Sequence, residues 1–155
     1  MGDLAPQPLP PKSNSSSNDS LLQTRARVMS FFKDKVIAIT GGASGIGRAT
    51  VETLLENGAK IYIADLNTSG AEPLVSQYGT NDILVKTDVS SLSSVKKFFA
   101  AIERNGDPLY GAVNAAGINL PVTRLHETTD EFYEKTKRVD FDGVFYSLRE
   151  ELKPS

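Results

Sequence analysis

From Phe32 onward the apolar residues fall into two alternating rhythms. Val36-Ile-Ala-Ile-Thr40 and Ile61-Tyr-Ile-Ala-Asp65 are short unbroken runs rich in β-branched residues, the pattern of strands covered on both faces. Ile83–Lys86 and Gly111–Asn114 repeat it in shorter form. Helical spacing fills the intervals. Ile46–Asn57 is predicted as a helix closed by Gly58, and Ala71–Tyr78 as a second, with Pro73 tolerable only in its first turn. Val95, Phe98, Phe99 and Ile102 recur at i, i+3, i+4 and i+7, behind the N-cap candidates Ser90 and Ser91. A last helix is expected from near Asp130 to Lys153, ahead of Pro154. Strands alternating with helices imply right-handed βαβ units, hence an α/β fold on a parallel sheet of about four strands.

Residues 1–30 differ in kind. Pro6, Pro8, Pro10 and Pro11 precede the polar run Ser13–Ser17, and almost nothing there is apolar. Such a segment cannot offset its ordering entropy, so a disordered tail is expected before a folded unit over 31–155. A signal peptide would need an apolar central run, which is missing. A transit peptide would suit the serines with Arg25 and Arg27, but Asp3 and Asp19 argue against it. Composition changes the picture little: 39% hydrophobic and 23% charged residues are ordinary for a globular protein. The net charge of −2 gives no basic face for nucleic acid or anionic lipid. No apolar run reaches the roughly 18–20 residues that span a bilayer. The absence of cysteine excludes disulfides, zinc thiolates and thiol catalysis, and the cytoplasm is the expected location.

The chemistry begins at Thr40-Gly-Gly-Ala-Ser-Gly-Ile-Gly47, placed between a predicted strand and a predicted helix. Glycine allows a tight turn and a close approach of backbone to a diphosphate, while the helix N-terminus directs N–H groups and its positive dipole end at the phosphates. Arg48 follows with no Lys-Ser/Thr pair, so an ATP- or GTP-binding P-loop is excluded. The spacing Thr-Gly-x-x-x-Gly-x-Gly resembles the short-chain dehydrogenase/reductase family. That resemblance implies a Rossmann-type doubly wound parallel sheet, here truncated, and a nicotinamide dinucleotide as cofactor.

Further matches follow in order along the chain. Asp65 closes the second strand, where a carboxylate accepts hydrogen bonds from the adenosine ribose and repels a 2′-phosphate; Leu66 and Asn67 supply no arginine to reverse this, so NAD is favoured over NADP. Asp88-Val89 matches the pair that the family sets beside the adenine, although Asp88 equally suits helix capping. Asn114-Ala115-Ala-Gly117 resembles the family's signature at the nicotinamide ribose. The expected cofactor-binding set is therefore Gly41, Ser44, Gly45, Ile46, Gly47, Asp65, Leu66, Asp88, Val89, Asn114, Ala115 and Gly117.

In the family, a serine and a Tyr-x-x-x-Lys pair carry the proton chemistry beyond the helix that ends this sequence. Tyr133-Glu-Lys-Thr-Lys137 matches by letter, but precedes Val139-Asp-Phe-Asp-Gly143-Val-Phe, which resembles the segment the catalytic pair should follow. Tyr133 and Lys137 are thus expected to be solvated, and no catalytic or metal residue is assigned. Asp140 stands where the family has asparagine; a buried, unpaired carboxylate there would be costly. His126, the only histidine, is expected in an exposed loop without partners. The resulting expectation is a truncated oxidoreductase, inactive as this chain, with hydride transfer between NAD(P) and an alcohol or carbonyl as its ancestral reaction. The alternative is a non-catalytic nucleotide-binding or interaction protein that pairs with a full-length relative. Association is expected through the free edge at Ala112–Asn114 and the stripe Phe141, Phe145, Leu148, Leu152.

Overall fold

The computed structural model describes residues 31–78, 84–119 and 124–153. The expected tail, Ile83 and Pro154 lie outside them. Four strands form one parallel sheet: β1 (Val36–Thr40), β2 (Lys60–Asp65), β3 (Leu84–Lys86) and β4 (Leu109–Asn114), in the order β3-β2-β1-β4. The helices are α1 (Gly45–Glu56), α2 (Glu72–Tyr78), α3 (Leu92–Arg104), α4 (Asp130–Thr136) and α5 (Gly143–Glu151). The chain steps from β1 to β2 to β3 in one direction and then returns across to β4. Right-handed connections therefore put α1 and α2 on one face of the sheet and α3 on the other.

Burial explains why these segments pair. All five residues of β1 are buried, as are Ile61 to Ala64 of β2, so each strand needs cover on both faces. On α3 the predicted stripe, Val95, Phe98, Phe99 and Ile102, is the buried one. Tyr62 is fully buried, and its hydroxyl donates to Asp107 Oδ2 (2.6 Å) while accepting from Asn105 Nδ2 (2.8 Å). Lys60 pairs with the same carboxylate. These bonds tie the turn between α3 and β4 to the start of β2, and the Lys60 and Tyr62 hydrogen bonds hold the Asp107 carboxyl below the usual aspartate range.

Element ends depart from expectation by a residue or two: α1 begins at Gly45, α2 at Glu72 and β4 at Leu109. Ser91 occupies the N-cap of α3, but its side chain caps nothing; its hydroxyl lies 3.1 Å from that of Ser93. The larger correction concerns the last helix. The single element expected over 130–153 is α4, a π turn at Lys137–Asp142, and α5. Each side of the π turn meets a fixed neighbour. Asp140 accepts the Ile118 N–H at 2.9 Å, and Gly143 lies so close to Val89 that a Cβ there would sit 2.9 Å from its Cγ2. Wider winding accommodates both contacts in one helix, and π turns of this kind gather at functional sites.

Candidate functional site

The carboxyl ends of the strands open into a cleft of about 830 Å³. It lies where the connections from β1 and from β4 part to different faces, the position at which open α/β sheets bind ligands. Gly41 turns the chain out of β1 with φ 70°, and a Cβ there would lie 2.6 Å from Ala116 N, so the loop rests directly on the end of β4. Gly47 is tighter still, since its Cβ would fall 2.1 Å from Gly41 O. These two contacts seat α1 against the loop.

The N-terminus of α1 carries no side-chain cap from Ser44 and no acidic residue in its first turn. Its first N–H groups thus lack intrahelical partners, and the positive end of the dipole meets the cleft at Ser44, Gly45 and Ile46. A Cβ on Gly45 would touch nothing within 4 Å, so open space adjoins the backbone where an anion would approach.

Asp65 and Leu66 form a second wall. Asp65 Oδ2 accepts the Ala43 N–H and Oδ1 the Asn67 N–H, both at 3.0 Å, which fixes the carboxylate against the loop. Each oxygen retains a lone pair for another donor. Asp88 does two things at once: Oδ1 accepts from the Ser90 N–H (2.9 Å) and hydroxyl (2.7 Å), forming the turn into α3, while the residue lines the cleft beside the buried Val89.

On the third wall, Ala115 and Gly117 border the cleft. Asn114 stands behind them, accepting from the Thr40 hydroxyl (3.4 Å) and donating to Glu151 Oε1 (2.9 Å). Burial raises the Glu151 carboxyl above the ordinary glutamate range, and the Asn114 bond partly opposes this. Among the expected residues, Gly41, Ser44, Gly45, Ile46, Asp65, Leu66, Asp88, Val89, Ala115 and Gly117 meet in this one cleft. Gly47 and Asn114 are not on its surface; they position the backbone that is.

Other lining residues were not singled out by sequence, notably Asn119, Lys135, Arg138 and Val139. The helical spacing of Val139 and Gly143 is a signal for a shared buried face, whereas nothing in the pattern turns Lys135 and Arg138 toward the loop. Tyr133 is exposed and, with Lys137, lines a separate depression beside Phe141. Lys137 is ion-paired with Glu134 at 3.6 Å. Asp140 is neither buried nor unpaired, because it accepts the Ile118 N–H from an exposed position. His126 is exposed as expected, but it has a neighbour, the Glu127 carboxylate at 3.8 Å. Among the described residues no helix is long and apolar enough to cross a membrane.

A family profile described as short chain dehydrogenase matches residues 35–154. The 2,5-dichloro-2,5-cyclohexadiene-1,4-diol dehydrogenase of Sphingobium indicum is 32% identical over 124 residues, 80% of this chain and 50% of that protein. The NADP-dependent (R)-specific alcohol dehydrogenase of Lentilactobacillus kefiri is 34% identical over 119 residues, 76% of this chain and 47% of that protein. The 3-ketoacyl-(acyl-carrier-protein) reductase from Brucella melitensis, solved with NADH, superposes with a TM-score of 0.72 at 28% identity, covering 78% of this chain and 50% of the other. The chain spans about half the length of the curated relatives it matches.

Proposed function

The chain belongs to the short-chain dehydrogenase family, and from that premise we propose that residues 31–155 form the NAD-binding part of an oxidoreductase that moves hydride between the cofactor and an alcohol or carbonyl. The observation that carries this reading is the uncapped α1 N-terminus opening on space beside Gly45, within a cleft that Asp65 also lines. An anion fits the first feature and a pair of ribose hydroxyls fits the second.

When bound, the nicotinamide supplies or accepts the hydride. The protein's own residues do the rest. Ser44, Gly45 and Ile46 hold the diphosphate against the helix end, and Asp65 grips the adenosine ribose. Asp88, Val89 and Leu66 enclose the adenine, while Ala115 and Gly117 leave room for the second ribose. Asp65 disfavours a 2′-phosphate by charge, so NAD is the preferred form. The described residues assign no general acid: Tyr133 and Lys137 stand outside this cleft.

Thermal unfolding of the purified chain with NADH and with NADPH tests the reading. A ligand at about 100 Kd stabilises the folded form by about 2.7 kcal/mol, so NADH should raise the midpoint clearly and NADPH less. No shift with either overturns it. The exposed stripe of Phe141, Phe145, Leu148 and Leu152 favours a second reading for the outer face, a docking surface for another copy of this chain. Light scattering should then show a dimer that Phe145→Asp converts to monomer.

A further inference from the structure

Five consecutive residues of the α4–π segment, Glu134-Lys-Thr-Lys-Arg138, carry three cations that the fold treats differently. Lys137 faces the outer depression and is ion-paired with Glu134. Lys135 and Arg138 line the cleft instead, and among the described residues neither enters an ion pair. The Arg138 Nε–H donates to Glu134 O at 3.3 Å, which fixes one edge of the guanidinium and leaves its terminal N–H groups for another acceptor. The carboxylates of Asp65 and Asp88 line the same cleft, but they are held by the Ala43, Asn67 and Ser90 donors and, among the described residues, form no ion pair with these cations. The positive end of α1 borders the same space. Two cations without an ion-pair partner and a helix N-terminus thus border one cleft, and each favours an anionic group placed there.

We propose that Lys135 and Arg138 are binding residues for the diphosphate of the dinucleotide, closing on it from a wall to which the glycine-rich loop does not belong. This rests on the reading above that the cleft takes a nicotinamide dinucleotide. Charge-assisted hydrogen bonds from Lys and Arg are the ordinary means of holding phosphate oxygens. Because both side chains are exposed, each contributes modestly, and the pair together decides.

Calorimetric titration of the full chain with adenosine, ADP, 2′,5′-ADP and NADH tests this, using wild type, Lys135→Gln, Arg138→Gln and the double variant. Each single substitution should weaken ADP and NADH about threefold and the double about tenfold, the scale of exposed charge pairs. Adenosine should change by less than twofold. Lys135→Arg with Arg138→Lys should restore most of the loss, and added salt should weaken wild type more than the double variant. Unliganded melting midpoints of the variants, measured in parallel, should match wild type. If the double variant binds ADP as wild type does, the proposal fails while the cofactor reading stands. An equal loss for adenosine and ADP would make the wall a packing surface, and a loss confined to 2′,5′-ADP would assign the cations to a 2′-phosphate; either overturns the proposal. Failure of wild type to bind any of the four removes the cofactor reading and this inference with it.

Discussion

The cleft corner and the outer flank of α5 handle polar groups in contrasting ways. At the corner, the Thr40 hydroxyl is buried but bonded to Asn114, the Thr87 hydroxyl donates to Val85 O, and Asp65 and Asp88 accept from the Ala43, Asn67 and Ser90 N–H groups and the Ser90 hydroxyl. What lacks a partner there is the helix end that faces open space. Along α4 and α5 the pattern inverts: Thr136 Oγ1, Ser147 Oγ and Glu150 Oε1 are buried without a hydrogen-bond partner, while Phe141, Phe145, Leu148 and Leu152 are exposed. Buried polar atoms left unpaired and large apolar faces left wet both cost free energy. The corner thus leaves a helix end without partners, and the flank leaves apolar surface uncovered.

The sharpest test of what the flank lacks is to delete one ring from the core and one from the flank. Phe98 is fully buried and Phe145 is exposed. Phe98→Ala should cost about 3–5 kcal/mol in urea unfolding, and Phe145→Ala at most about 0.5 kcal/mol at concentrations where the chain is monomeric. Equal costs would mean that the flank is already packed.

Next comes Gly47→Ala, whose new Cβ would collide with the Gly41 carbonyl. It should destabilise by about 1–3 kcal/mol and, by displacing the loop, weaken NADH binding as measured by fluorescence titration. The same substitution at Gly111, where a Cβ would meet nothing within 4 Å, should leave binding unchanged.

Tyr62→Phe probes the far end of the sheet from the cleft. It removes the hydroxyl shared by Asp107 and Asn105 and should cost about 1–3 kcal/mol, with no effect on cofactor affinity. A change in affinity would show that the two ends of the sheet are coupled.

The smallest effect is at Glu151, which links corner to flank through Asn114. Its carboxyl lies above the ordinary glutamate range when folded, chiefly through burial. The folded state then holds more protons than the unfolded one just above that range, so stability falls as pH rises through it. Glu151→Gln keeps an amide oxygen for Asn114 and should flatten this slope, raising the melting midpoint slightly near neutrality and not at pH 4. A parallel slope in the variant would place the titration elsewhere.

Much of this architecture was legible in the chain, and for local reasons. Five buried residues in a row admit little besides a strand covered on both faces, and the 3.6-residue stripe on α3 names its own buried side. The glycine spacing of the loop was equally readable, because no side chain at Gly41 or Gly47 fits the contacts made there. The π turn was not legible, since it answers to Ile118 and Val89, which are distant in sequence. Nor was the dual use of Asp88, which lines the cleft while its carboxylate holds the Ser90 turn ahead of α3 and does not cap the helix, whose N-cap is Ser91.

The sequence by itself determined the strands, the order of helices and the glycine-rich loop, because burial pattern and glycine sterics act over a few neighbouring positions. Tertiary structure alone decided that Lys135 and Arg138 face the cleft while Lys137 turns away toward Glu134 and the outer surface. A helix face acquires its meaning only when the sheet it docks against is in place, and no local rule specifies that rotation.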